Sequence, residues 1–472
     1  MVFGTDGWRG LINEELNNQN IGRVAAAFAL YLVKNTRSGK MVKVAIGYDG
    51  RQYSRKFAVL FSRVLASQNI EVFFSEQIIP TPLLSYYVRA NYLDAGVMVT
   101  ASHNPPEYNG IKFKASYGGP FLTEETHKVE SYIDRELVQV SDKNIHQVDF
   151  TNIYFQQIEK MVDFYSIRKS GIKVLIDSMA GAGQQMLENI LLKHHCPAET
   201  IFKFAESDFA SRLPEPIEKN LTPLRDELIA NGNYAMGIAT DGDADRVGIL
   251  MDNGEWLSAQ ETILYLSDFL INYKKLSGDI VKTSSVTDKL VELTNSTGRG
   301  LHNVQVGFKY ICEKMITEDI LFGAEESGGF GYKNHMPERD GLLSGLLMTE
   351  MLAVSGYSKL SEYVKVKRKE FGDTFYKRID MEYHSPDRND LLPELYGKNP
   401  DAINGEKVKS IQSFYSSRNV INGLKFTFRG NARWLLIRSS ETEPLLRFYA
   451  EGNSNEDVDK LLNIGKDIIT IK

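Results

Sequence analysis

Ser102 sits in the run Val99-Thr-Ala-Ser-His-Asn-Pro-Pro-Glu-Tyr-Asn-Gly-Ile-Lys112, where an apolar, strand-like stretch ending at Val99 meets a turn rich in His, Asn, Pro and Gly. Such a junction puts a hydroxyl on an exposed loop at a strand end. About 140 residues later, Asp241-Gly-Asp-Ala-Asp-Arg246 carries three carboxylates on alternate positions with small residues between them. Alternate residues of an extended segment point to the same side, and the apolar Tyr234–Ala239 stretch feeds straight into them. Three convergent carboxylates repel one another without a cation, and an all-oxygen donor set suits Mg²⁺, although Mn²⁺ and Ca²⁺ share that chemistry. A calcium hand is excluded, because its sixth position is Arg246 where Gly is needed and its twelfth is Asp252 rather than Glu. A serine, a metal cage and flanking cations together point to phosphoryl transfer.

Two further loops carry suitable groups. Ala324-Glu-Glu-Ser-Gly-Gly329 offers carboxylates and a hydroxyl on a glycine-flexed segment, acceptors for sugar hydroxyls. Arg438-Ser-Ser-Glu-Thr-Glu-Pro444 joins two strand-like runs, and its N–H groups, hydroxyls and guanidinium can clasp a phosphate dianion, with Arg447 adding charge from the next strand. Each loop taken singly also has a plainer reading. The Ser-His-Asn loop can be a capped turn, the acidic run a solvated turn, the Glu-Glu-Ser segment a helix start, and the last loop a hairpin with an internal Arg–Glu pair.

The elements that must position these loops form a long chain. Its 472 residues suggest three or four domains, and 42% hydrophobic with 25% charged residues is ordinary for a folded globular protein. A net charge of −6 without a Lys/Arg block argues against a nucleic-acid face, so an anionic ligand has to be held by local cations. The longest apolar run, Val24 to Val33, is too short to span a bilayer, and no secretory pattern opens the chain. Only Cys196 and Cys312 occur, far apart, which speaks for a reducing cytoplasm rather than a disulfide framework or zinc site.

Lys43-Val-Ala-Ile-Gly47, Lys173-Val-Leu-Ile-Asp177 and Ile280-Val-Lys-Thr283 each end in small polar residues and lead into a helical pattern. Their recurrence predicts an α/β protein with three similar mixed α/β domains. Polar seams at Ser141 to Asn152, near Asn253 to Leu257, and at Val366 to Asp373 place the domains at 1–150, 151–254, 255–370 and 371–472. The last is a C-terminal α+β domain with strands at Leu424–Phe428 and Trp434–Ile437, a polar insertion from His384 to Lys407, and a helix from Asn455.

Together with Phe3-Gly-Thr-Asp-Gly-Trp-Arg-Gly10, these motifs occur in the order and spacing of the α-D-phosphohexomutase superfamily, which the chain resembles over nearly its whole length. The resemblance implies four domains around a central cleft. It also implies Ser102 as carrier of the phosphate, with Ser102, Asp241, Asp243 and Asp245 holding Mg²⁺, and Arg9, Lys112 and Arg246 around the transferring group. By the same resemblance Glu325 and Ser327 bind sugar hydroxyls, while Arg438, Ser439, Ser440 and Thr442 hold the distal phosphate. His103 and Lys112 are the nearby candidates for the proton-transferring base. The implied reaction interconverts hexose 1-phosphate and hexose 6-phosphate through a hexose 1,6-bisphosphate that turns end for end.

The sugar signals are mixed. The Ala324–Gly329 loop and Val306-Gly-Phe-Lys309 are similar to glucose-type mutases, whereas Phe3–Gly10 and the Arg438 loop are similar to the glucosamine group, with Glu441 in place of its glycine and Ser439 in place of its proline. Glucose phosphate is the expected substrate. Mannose and glucosamine phosphates are the alternatives, and a phosphoserine-dependent sugar phosphatase or a non-catalytic sensor lie further off. The expected partner is a small sugar phosphate, with no nucleic acid and no membrane, and the protein is a monomer or homodimer whose fourth domain closes about a hinge near Phe371.

Overall fold

Lys43–Tyr48, Val174–Asp177 and Asp279–Thr283 are strands, each coinciding with one of the apolar runs that the sequence marks before a small polar turn. The computed structural model describes residues 3, 7–36, 39–133, 138–385, 388–416, 419–440 and 444–470. Each of these three strands is flanked on both sides by parallel partners that follow it in the chain. The partners are Glu71–Ser75 and Ala95–Val99 in the first sheet, Ala198–Ile201 and Met236–Thr240 in the second, and Leu301–Val304 and Ile320–Ala324 in the third. Strands covered on both faces favour apolar side chains at successive positions, which is why Val44–Ile46, Val174–Ile176 and Ile280–Val281 read as apolar runs rather than alternating ones, while buried Lys282 in the third is met by Asp288. All five residues of Ala95–Val99 and all five of Met236–Thr240 are buried. The expected three similar mixed α/β domains are thereby present, together with a C-terminal α+β domain.

The chain divides into two compact units. The first comprises Met1–Ser258, Met315–Glu318 and Ser327–Val364 and holds the first two sheets. The first sheet packs on helices Asn18–Asn35 and Ser54–Ser67, with Phe28 stacked on Phe113 at 4.5 Å between ring centres. In both sheets the outer parallel strand turns back as an antiparallel one. Ala95–Val99 returns as Tyr108–Ala115, with Val99 opposite Ile111, and Met236–Thr240 returns as Val247–Met251, with Thr240 opposite Val247. The Ser102 loop and the acidic loop are those two reversals. The repeat therefore sets them at equivalent places, beyond the carboxyl ends of parallel strands, where α/β folds gather ligands.

The second unit comprises Ala259–Lys314, Asp319–Glu326 and Lys365–Lys472. Besides its parallel trio it holds a sheet of Phe375–Glu382, Leu445–Gly452, Trp434–Ser439, Ile421–Phe428, Glu406–Tyr415 and Ala402–Ile403, antiparallel at every pairing. Helices Arg388–Lys398 and Asn455–Thr470 contribute Leu391, Leu392, Leu461 and Leu462 to a core with Leu424, Phe426 and Phe448. Trio and sheet are joined by a buried polar network. Lys282 and Lys425 both donate to Asp288 at 2.8 Å, and Glu451 accepts from Thr287 Oγ1, the Asp288 N–H and Trp434 Nε1.

Two sequence expectations change here. The seam from Val366 to Asp373 is helical as far as Phe371, because Leu360–Phe371 is a helix with a narrow buried stripe at Leu360, Tyr363 and Val364. Its cations follow that stripe and pair with acidic neighbours, Lys367 with Asp268 and Arg368 with Glu261, so the sequence there shows no apolar period. Lys289 Nζ then holds the carbonyls of Gly372 and Asp373 at 2.8 and 2.7 Å, just past the position expected to hinge. The polar insertion at His384–Lys407 contains a helix, because Leu391 and Leu392 suffice to anchor it. Among the described residues, no helix is long and apolar enough to cross a membrane.

Candidate active site

Ser102 adopts the left-handed conformation, φ 54°, and its N–H donates to Thr100 Oγ1 at 2.9 Å. The turn aims its hydroxyl across to the second sheet, where Oγ donates to Asp241 Oδ2 at 2.9 Å and lies 3.3 Å from His103 Nδ1. Gly242 makes the approach feasible, since a Cβ there would come within 2.4 Å of the Ser102 carbonyl oxygen. The sequence points to an exposed loop, but Ser102 is fully buried, because the acidic loop packs directly over it.

Asp241, Asp243 and Asp245 are also fully buried, which rules out a solvated turn. One carboxylate oxygen from each lies within 4.8 Å of the other two. Asp243 Oδ2 accepts from Thr81 Oγ1 at 2.5 Å and Lys112 Nζ at 2.8 Å, and Asp245 Oδ2 accepts from Lys112 at 2.9 Å and pairs with Arg339 Nη2 at 2.9 Å. Asp241 Oδ1 accepts the Arg246 N–H at 3.1 Å. The other oxygens of Asp243 and Asp245, both Oδ1, are buried without any hydrogen-bond partner. Orphaned carboxylate oxygens beside a third carboxylate are costly unless a cation meets them, so the donor set fits a hard divalent ion such as Mg²⁺.

The charges agree with that fit. Burial, then the neighbouring charges of Asp245 and Asp243, pushes the Asp241 carboxyl well above the usual carboxylate range. Burial acts on Asp243 in the same direction, but the charge and hydrogen bonds of Lys112, with Thr81, outweigh it and hold that carboxyl low. Burial, followed by the charges of Arg246, Arg9, Lys112 and Arg339, keeps His103 well below its ordinary value and hence neutral at physiological pH.

Arg9, on strand Trp8–Leu11, donates to Asn104 Oδ1 at 3.0 Å and so reaches the Ser102 loop. Arg246 Nε stands 3.9 Å from Asp245 Oδ1. Ser102, His103, Arg9, Lys112, Arg246 and the three aspartates thus belong to one cluster in the first unit, which also contains Ser327.

Lys309, Glu325, Arg438, Ser439, Ser440 and Arg447 belong to the second unit. Glu325 and Lys309 are buried, and the Lys309 ammonium lies 5.0 Å from the Tyr310 ring centre. The Glu-Glu-Ser segment follows strand Ile320–Ala324 and opens no helix, while Glu326 accepts from Thr283 Oγ1 and Ser285 Oγ. Arg438 faces Arg447 across neighbouring strands, and Arg447 faces Asp380 on its other side, with Nε 3.6 Å from that carboxylate. Ser439 and Ser440 are buried, and the Ser440 N–H closes the loop onto Leu445 O. Thr442 and Glu441 lie outside the described residues.

Sequence reading missed four contributors. Thr81, at the start of helix Thr81–Ala90, caps Asp243, but a lone threonine before an apolar helix reads as a helix start. Arg339 and Glu338 come from His335-Met-Pro-Glu-Arg-Asp-Gly341, where Asp340 caps helix Gly341–Ser355 and also accepts from Tyr154 and His335. Glu338 pairs with fully buried Lys114 at 2.5 Å while Arg339 pairs with Asp245. A Cβ at Gly341 would lie 2.4 Å from the Arg246 carbonyl oxygen, so this segment backs the acidic loop. The legible signal was Asp-Gly ahead of an apolar helix, with an unexplained cation beside it. Arg51, the fourth, is treated below.

Comparison with known proteins is consistent along the chain. It matches phosphoglucomutase/phosphomannomutase α/β/α domain I over residues 1–139, domain II over 152–254, domain III over 259–371 and the C-terminal domain over 393–463. It is 31% identical to a probable phosphoglucosamine mutase of Methanobrevibacter smithii, over 96% of this chain and 95% of that one. It is 27% identical to a phosphoglucomutase/phosphomannomutase of Thermococcus kodakarensis, over 98% and 97%. A crystal structure from Thermus thermophilus, provisionally described as a phosphomannomutase, superposes with a TM-score of 0.85 at 31% identity and 99% coverage of both chains.

Proposed function

The chain belongs to the phosphoglucomutase/phosphomannomutase family of the α-D-phosphohexomutase superfamily, and on that premise we propose that it moves a phosphoryl group between O1 and O6 of an aldohexose, with glucose phosphate as its substrate. The observation that carries this reading is the buried hydrogen bond from Ser102 Oγ to Asp241, inside a cage of three carboxylates.

In this reading phospho-Ser102 is the donor. A sugar hydroxyl gives up its proton and forms a new P–O bond as the P–O bond to Ser102 breaks, giving a hexose 1,6-bisphosphate, and His103, whose Nδ1 lies 3.3 Å from Ser102 Oγ, takes the hydroxyl proton and passes it to the departing serine oxygen. After the sugar has turned end for end, Ser102 takes back the other phosphate. Asp241, Asp243, Asp245 and the Ser102 oxygen would hold Mg²⁺, which when bound supplies Lewis-acid stabilisation of the phosphoryl oxygens. Arg9, Lys112 and Arg246 add fixed positive charge where negative charge builds up. Glu325 and Ser327 accept or donate to sugar hydroxyls, Lys309 adds a cation, and Arg438, Ser439, Ser440, Thr442 and Arg447 hold the phosphate that is not reacting.

The likeness of the Ala324–Gly329 loop and of Val306–Lys309 to glucose-type mutases supports glucose, with mannose as a second substrate. The resemblance to the M. smithii phosphoglucosamine mutase supports glucosamine phosphate as the second reading. Parallel assays of glucose, mannose and glucosamine 1-phosphates decide, with glucose expected to give the highest kcat/KM. Intact-protein mass spectrometry should find part of the wild type heavier by one phosphate and Ser102→Ala unmodified. Release of inorganic phosphate faster than hexose 6-phosphate would sink the mutase reading in favour of a phosphatase.

A further inference from the structure

Arg51 closes the Tyr48-Asp-Gly-Arg51 turn after the central strand of the first sheet, and its side chain is fully buried. Its Nη2 donates to the carbonyl oxygens of Ser102 and Asn104 at 2.7 and 2.6 Å, and Nη1 donates to those of Pro105 and Tyr108 at 2.7 and 3.0 Å. Four carbonyls of one loop therefore converge on one guanidinium. The loop needs an outside donor, since Pro105 and Pro106 contribute two carbonyls and no N–H.

The cation is itself held on several sides. Asp49 Oδ2 lies 3.2 Å from Arg51 Nε, Asp49 Oδ1 accepts the Arg51 N–H and the Ser54 hydroxyl, and the Phe209 ring centre lies 4.6 Å from the guanidinium carbon. Ser54 Oγ in turn accepts from Asn109 Nδ2, tying the far end of the same loop to the same anchor. Asp243 and Asp241 also face its charge.

The geometry points to Arg51 as the positioning residue of the phosphate-carrying serine: it fixes the left-handed turn at residue 102 and with it the direction of Oγ. A serine gains nothing locally from φ 54°, and converging carbonyl dipoles repel, so without the guanidinium the loop relaxes to a right-handed turn and the hydroxyl swings off Asp241. Arg51 touches no reacting atom, and all four of its guanidinium hydrogen bonds go to the backbone of the serine loop. A lysine cannot replace it, since an ammonium lacks the planar fork that serves four acceptors.

This inference rests on Ser102 being the phosphate carrier, and a wild-type assay with hexose 1-phosphate separates failure of that reading from failure of this one. In Arg51→Ala, kcat should fall about 100-fold with KM for the sugar phosphate near the wild-type value, as expected for a misaimed nucleophile. Millimolar guanidinium, far below denaturing levels, should restore part of that kcat and methylammonium should not. Arg51→Lys covers the case in which Arg51→Ala does not fold: it should fold and still lose kcat, with a smaller phosphorylated fraction by intact mass. A folded Arg51→Lys with wild-type kcat, a folded Arg51→Ala unresponsive to guanidinium, or a loss confined to KM would each overturn the assignment.

Discussion

Lys112→Met is the most informative single perturbation of the cluster. Lys112 is fully buried, and among the described residues its ammonium pairs with Asp243 at 2.8 Å and with Asp245 at 2.9 Å. Methionine keeps most of the stem volume, so the packing cost is small and the electrostatic term dominates. Breaking a buried pair by removing one partner costs about 3–5 kcal/mol, because a desolvated charge stays behind. Arg339 still pairs with Asp245 and Thr81 still caps Asp243, so the lower end, about 3 kcal/mol, is expected. Two-state unfolding does not describe a multidomain chain, so the loss is read locally, by hydrogen exchange of peptides spanning residues 95–115 and 236–251 in EDTA.

The same geometry sets the response to metal. With Lys112 gone, the cage keeps its three carboxylates and loses a competing positive charge, so Mg²⁺ should protect the variant more than the wild type, and by reciprocity bind it more tightly. Activity should nevertheless stay low even at saturating Mg²⁺, by about 10²–10³ in kcat, since the cation proposed to face the transferring group is missing. Loss of less than about 1 kcal/mol of local protection in EDTA, the range of an exposed pair, would refute the reasoning. Equal Mg²⁺ protection of variant and wild type would do the same.

Other predictions follow from the same contacts. Chelation with EDTA should abolish hexose phosphate interconversion and added Mg²⁺ should restore it, measured by a coupled hexose 6-phosphate assay; full activity in excess EDTA would refute a metal role for the aspartates. Trp434→Phe removes one of the three donors to buried Glu451 and should lower local protection in the second unit by about 1–3 kcal/mol, read by hydrogen exchange of peptides spanning residues 421–428 and 445–452, whereas unchanged protection would show that the network is dispensable. Asp288 is held below the usual carboxylate range: burial opposes this, but the charges and hydrogen bonds of Lys282 and Lys425 outweigh it. Its contribution is therefore full above the unfolded value, near pH 4, and fades as pH falls towards the folded one. The stability gap between wild type and Asp288→Asn should shrink on acidification from pH 5 to pH 2, and a gap that stays constant would contradict this.

The legible part of the site was what short-range chemistry determines. Asp241-Gly-Asp-Ala-Asp puts like charges on one side of an extended segment whatever surrounds it, and an apolar run followed by small polar residues marks a strand end. Burial was not legible, because it depends on which loop packs over which: Ser102 looks like a surface turn until Gly242 and the acidic loop close on it. The helical seam at Val366–Phe371 was masked for a related reason, since its cations are paired with residues about a hundred positions away in sequence.

By itself, the chain determined the three repeated strand-and-turn units, the C-terminal strands, the all-oxygen cage and the serine loop, because strand patterning and donor chemistry are local properties. Only the tertiary structure decided that Lys112 neutralises two of the three carboxylates, that Arg339 and Thr81 complete the cage, and that Arg51 gathers four carbonyls of the serine loop. Those contacts join residues separated by roughly 50 to 160 positions. Their partners are selected by the burial of charge, since a desolvated ion must be met by whichever opposite group the sheets bring within reach, and no spacing rule along the chain encodes that meeting.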